Sequence, residues 1–110
     1  MSRVPLSIFQ HNNVRYRHFI NTSTDATTIE DINSKVLLTF DSSCYAYNKE
    51  GKQIGQITGW GDSHYSFKPN DSFNQEVDVK GTTVGPESHL DFEVLLFKKL
   101  VDLDIIKQEN

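Results

Sequence analysis

The run from Leu90 to Ile106, LDFEVLLFKKLVDLDII, constrains the fold of this chain more than any other stretch. Wound as an α-helix, its apolar residues at 90, 92, 94, 95, 96, 97, 100, 101, 103, 105 and 106 spread around the circumference and leave no polar face. Such a helix must be buried on every side, which a chain of 110 residues can hardly arrange. As a strand, Leu90, Phe92, Val94 and Leu96 share one face, and Asp91 and Glu93 lie opposite. Period 2 therefore predicts a strand over 89–97, with Leu96 in the core. Leu95 and Phe97 then fall on the outer face and need cover. From Lys98 the chain reads as a short helix or tail whose apolar residues are Leu100, Val101, Leu103, Ile105 and Ile106.

The rest of the chain is also β-leaning. Residues 1–13 read as an arm ending in the turn-prone His11-Asn12-Asn13. VRYRHFINT, from Val14, places Val14, Tyr16, His18 and Ile20 on one face of a strand and Arg15, Arg17 and Phe19 on the other. Residues 22–34 are polar and rich in cap-forming side chains, enough for a loop with one or two helical turns. Residues 35–47 read as one long strand with a bulge near Ser42. Asn48 to Lys52 is a hairpin turn in which Gly51 suits a positive φ. A strand follows over 53–58. A connection containing Gly59-Trp60-Gly61 spans 59–75, and a further strand runs over 76–83.

That succession of strand, polar loop, long bulged strand, tight hairpin, strand, longer connection, strand, turn and strand resembles the OB-fold, a five-stranded Greek-key barrel. Val77-Asp78-Val79-Lys80-Gly81 followed by Leu90-Asp91-Phe92-Glu93-Val94 is similar to the last two strands of that fold. The expected fold class is mostly β: an OB-like barrel over 14–98, an arm over 1–13 and a C-terminal segment over 99–110, with an α+β domain or a β-sandwich as the alternatives. Size and tail are similar to those of the small single-barrel subunits of single-strand DNA-binding complexes, such as replication protein A and the telomere-capping CST complex. The resemblance implies docking to a larger subunit through the C-terminal segment.

Few residues point to chemistry. The histidines at 11, 18, 64 and 89 have no metal-ligand spacing, and Cys44 lacks a second thiolate, so neither metal nor cofactor is expected. Cys44 has no base beside it in sequence, and the glycines follow no phosphate-loop order, so catalysis is not expected either. One cysteine permits no internal disulfide, MSRVPLSIFQ has no apolar signal core, and no run reaches transmembrane length. An intracellular protein, nuclear or cytoplasmic, is expected.

The remaining cluster is aromatic and basic. Arg15, Arg17, Tyr45, Tyr47, Lys49, Lys52 and Tyr65 have the chemistry of a single-strand binder, which stacks bases on aromatics and tracks phosphates with cations. Tyr45 and Tyr47 share one strand face, so they are either both core or both surface. The net charge of −4 means that nucleic-acid contact must be local or shared with a basic partner. Leu95, Phe97, Leu100, Val101, Ile105 and Trp60 are the expected protein-docking residues. Two functions fit: a non-catalytic interaction subunit, with single-stranded nucleic acid as a weak second ligand, or a small acidic inhibitor or immunity-type protein that blocks one enzyme or toxin.

Overall fold

A computed structural model describes residues 3–61, 64–70, 79–82 and 88–107, with residues 60–61, 79–82 and 88 described in backbone only. Eight strands precede one helix: β1 (Arg3–His11), β2 (Val14–Asn21), β3 (Ala26–Asp31), β4 (Val36–Phe40), β5 (Tyr45–Asn48), β6 (Gln53–Gly61), β7 (His64–Pro69), β8 (Val79–Thr82) and α1 (Ser88–Asp102). Each strand pairs antiparallel with the next, so spatial order equals chain order and β1 and β8 are the edges. The sheet is an open meander, not the Greek-key barrel that the strand spacing predicts.

Local side-chain chemistry makes this order. Asn12 and Asn13, at φ 52° and 65°, form the two-residue β1–β2 turn, whose backbone needs positive φ at both positions. Three further turns share one design, at Asp31–Lys35, Asp41–Tyr45 and Asn48–Lys52. In each, the first side chain accepts hydrogen bonds from the third and fifth backbone N–H groups, at 2.9–3.1 Å. The fourth residue, Ser34, Cys44 or Gly51, sits at positive φ, 65°, 67° and 81° in turn. Asp and Asn suit the first position because their short side chains reach backbone two residues on. The bulge predicted near Ser42 is thus a complete hairpin turn, and the long strand is two strands.

Two bulges shape the inner face. The β3–β4 ladder pairs Ile29 with Leu38 and Glu30 with Val36, which leaves Leu37 as the extra residue. Ile54 is the extra residue between β5 and β6. Extra residues break alternation and increase local twist. Here both extra side chains are buried, Leu37 at 7% exposure and Ile54 at 2%. Gly55 beside them is required by contact: a Cβ there would lie 2.4 Å from the Phe67 ring and 2.5 Å from the Lys68 carbonyl oxygen.

Helix α1 lies on the inner face. Leu90, Glu93, Leu96, Phe97, Leu100 and Val101 are buried at the i, i+3, i+4 spacing of a core-facing stripe, and Phe92 flanks it. Asp91, Lys99 and Asp102 form the exposed side. Tyr16 and Phe97 meet edge-on with ring centroids 4.7 Å apart, Phe9 packs on both, and Tyr65 packs on Phe92. The helix ends in a reversal: Asp104 takes φ 62°, its N–H donates to the Val101 carbonyl, and the Ile105 N–H donates to that of Leu100 at 2.9 Å. Those bonds satisfy carbonyls that the last turn would otherwise leave open.

Residues 89–97 are therefore helical, and the strand predicted for them is corrected. Leu103, Ile105 and Ile106 lie beyond the helix, so they do not spoil its polar side, while Val94 and Leu95 flank the buried stripe half-covered. The predicted arm is edge strand β1. The polar loop contains β3, which alternates Thr27 and Ile29 inward with Thr28 and Glu30 outward. Strand β7 occupies part of the 59–75 connection; residues 71–75 of that connection, and 76–78 and 83 of the next strand, lie outside the described residues. A division at residue 98 does not hold, because it cuts α1.

Leu96 and Phe97 are both fully buried, so the expected contrast between them disappears. Phe97→Ala should cost about 3–5 kcal/mol in urea denaturation, the usual penalty for an emptied aromatic site. A loss below about 1 kcal/mol would place Phe97 on the surface and restore the strand.

Candidate functional site

The best-built polar site lies where the N-terminal end of α1 meets the turns after β2 and β4. Alternation on β2 turns His18 inward, and alternation on β3 does the same for Thr27. Glu93, on the buried stripe of α1, reaches both. His18 Nε2 lies 2.8 Å from Glu93 Oε1, and the Thr27 hydroxyl donates to the same oxygen at 2.6 Å. The His18 and Glu93 side chains are only 2% and 4% exposed. A cavity of about 280 Å³ adjoins the pair; Asp25, Asp41, Ser42, Cys44 and His89 supply polar lining, and Ile20 and Leu90 apolar walls.

Cys44 enters this cavity because the β4–β5 turn holds it at positive φ. Burial pushes its thiol above the ordinary value, and the charges of Glu93 and Asp41 push the same way. A thiol held in its protonated form is a poor nucleophile. Among the described residues, no three His, Cys, Asp or Glu side chains are arranged to hold a metal ion.

The outer face of the sheet carries a different chemistry. Arg3 donates to the buried carboxylate of Glu30, and its guanidinium lies 4.0 Å from the Phe19 ring centroid. Arg17 lies 5.7 Å from the same centroid and donates to the Asp31 carbonyl and, at 2.9 Å, to Ser34 Oγ. Ile8 pairs in register with Arg17, and Val36 pairs with Glu30 on the same face. Ile32 lies in the turn that Arg17 grips, next to Val36 at the start of β4, while Ile8 lies across β2 and β3 on the edge strand, with Arg17 and Glu30 in register between them. Their exposures are 66% for Ile8, 64% for Ile32 and 37% for Val36.

The residues expected to bind a partner through the C-terminal segment are mostly core. Phe97 and Leu100 have no exposed surface, Val101 has 7%, and Leu95 and Ile105 pack half-buried against the core. These positions hold the helix in the sheet, so they present no docking face; the Trp60 side chain lies outside the described residues. The aromatic and basic cluster is only partly assembled. Tyr45 and Tyr47 do share the outer face, above a depression lined by Tyr45, Gln56 and Lys68. Tyr47 donates to Asp41 at 2.8 Å, a bond that raises its phenol above the usual value. Arg15 is exposed on β2, but β2 lies three strand steps, about 14 Å, from β5. Lys49 and Lys52 are exposed in the β5–β6 turn, and Tyr65 faces inward onto Phe92.

Glu93 and Thr27 had no sequence signal as a pair. The one cue is a glutamate inside an apolar run, and it carries meaning only once that run is helical.

Removing one member of a buried hydrogen-bonded pair leaves the other unsatisfied. His18→Ala should therefore cost about 1–3 kcal/mol in chemical denaturation, part of it recovered when Glu93→Gln is added. Additive losses would show that the two side chains are independent. Separately, iodoacetamide should label Cys44 in the folded protein with a midpoint above that of a free thiol. A midpoint below it would reverse the electrostatics assigned to the cavity.

Comparison with known proteins finds no matching family model, no matching curated protein and no matching solved structure.

Proposed function

We propose that the chain is a non-catalytic protein-interaction domain that engages its partner through the outer face of the β1–β4 end of the sheet, at Ile8, Ile32 and Val36. The observation that carries this reading is the exposure of Ile8 on edge strand β1 and of Ile32 and Val36 at the β3–β4 turn. Grouped exposed aliphatic side chains lower the cost of association, whereas isolated ones are ordinary. Strand β1 adds a second contribution. Pro5 and the irregularity between Pro5 and Ser7 disturb the first half of the edge, while the pairing from Ser7 to His11 is regular. A regular edge offers backbone hydrogen bonds to an incoming strand.

The protonated state of Cys44 weighs against its use as a nucleophile. The tethering of Arg17 and the overall charge of −4 weigh against a nucleic-acid ligand held by charge. Without a Greek-key barrel, the accessory-subunit reading keeps its protein partner and loses its fold-based reason for single-stranded DNA. An inhibitor would use the same face.

The test is a tagged pull-down from source lysate after nuclease treatment, run with the wild type and the double variant Ile8→Asp/Ile32→Asp. Both side chains are largely exposed, so the variant should keep the wild-type melting temperature within a few degrees. It should also lose at least about tenfold of a protein that the wild type retains. A captured nucleic-acid-binding protein would make this chain an accessory subunit, and a captured enzyme or toxin would make it an inhibitor. Equal retention by both proteins would place the interface elsewhere.

A further inference from the structure

The Glu93 carboxylate is asymmetrically used. Oε1 takes both hydrogen bonds, from Thr27 at 2.6 Å and with His18 at 2.8 Å, while Oε2 has no protein donor among the described residues. A side chain only 4% exposed ordinarily pairs its polar atoms. Among the described residues, the one sealed side-chain polar atom without a partner is Arg17 Nε. Oε2 is thus not sealed, and Glu93 is one of the residues that line the cavity beneath α1.

The rest of that wall has a consistent character. Asp25 and Asp41 are its other carboxylates, His89 adds an imidazole, and among the described residues no lysine or arginine lines it. The Asp41 Oδ1 atom is committed to the backbone of its turn and Oδ2 to Tyr47, so Asp41 contributes field more than a free acceptor. Ile20 and Leu90 supply apolar surface. A ligand complementary to this arrangement brings N–H donors and a positive charge to one end and a few methylene groups to the other. A bare metal ion is a poor match, since among the described residues no three ligands are gathered for it.

We propose that this cavity binds the ammonium group of a short alkyl amine, with Glu93 Oε2 accepting its hydrogen bond and Ile20 and Leu90 packing on its chain. The site is separate from Ile8, which pairs with Arg17 on the outer face of the sheet, and does not depend on it. The same chemistry occurs in a free small amine and in a lysine side chain from another protein.

The test is an amide NMR titration of the full chain with n-butylammonium chloride, with n-butanol as the neutral counterpart and sodium chloride as the ionic control. The expected result is a saturable shift confined to amides around Thr27, Cys44 and Glu93. It should appear with the ammonium and not with the alcohol or the salt. Glu93→Gln should weaken it by about tenfold, the scale of a hydrogen bond to a charged group. Asp25→Asn, an exposed substitution, should weaken it less without affecting folding. Equal binding of butanol, the same shifts with sodium chloride, or no saturable shift with the ammonium would each overturn the proposal. Because these comparisons use the wild type, they decide the matter even if Glu93→Gln unfolds. A third titrant, Nα-acetyl-lysine methylamide, separates the sources. Binding as tight as that of butylammonium assigns the cavity to a lysine of a partner, and exclusion assigns it to a free amine.

Discussion

The packing of α1 against the inner face of the sheet is the constraint on which everything else depends. A meander with one apolar face has no stable state in water until that face is covered. The cover here is helix α1, 15 residues long, anchored by aromatic contacts of Phe92 and Phe97. Both ends are also tied by polar contacts. Glu93 meets His18 and Thr27 near the start, and His11 Nε2 lies 2.6 Å from Asp102 Oδ1 at the finish. The second tie joins the end of β1 to the end of α1, so the edge strand is held by the helix as well as by β2.

What was legible in the residues was local. Period 2 over Val14–Asn21 gave both faces of β2 correctly, because alternation is a property of the strand itself. The turn at Asn48–Lys52 was legible because it contains a glycine. The identical turn at Asp41–Tyr45 was not, because Cys44 fills the position that Gly51 fills in its counterpart. Strand β3 was hidden by polar residues such as Thr27, whose buried hydroxyl donates a hydrogen bond to Glu93. The helix was hidden for the reciprocal reason. Glu93 looks like a solvent position, and its partners lie 66 and 75 residues away. Contacts of that separation are set by how the elements dock, and no window along the chain contains them.

The two surfaces singled out differ in kind. The Ile8, Ile32 and Val36 surface is exposed aliphatic side chain on the outer face. The Glu93 cavity is concave and acidic, and it exists because a pair needed to seat the helix leaves one oxygen spare. The first costs solubility and the second costs desolvation of a carboxylate. Both depend on the same docking of α1, since the helix fixes β1 at one end and Glu93 at the other.

Chain order adds a consequence for biosynthesis. All eight strands emerge from the ribosome before any residue of α1 does. Their hairpins close locally, so pairing can begin during translation. For the seconds needed to synthesise the last strand, the connection and the helix, the inner face with Tyr16, Ile29, Leu38 and Phe40 has no cover. The nascent sheet therefore exposes an apolar face until its own helix arrives to cover it.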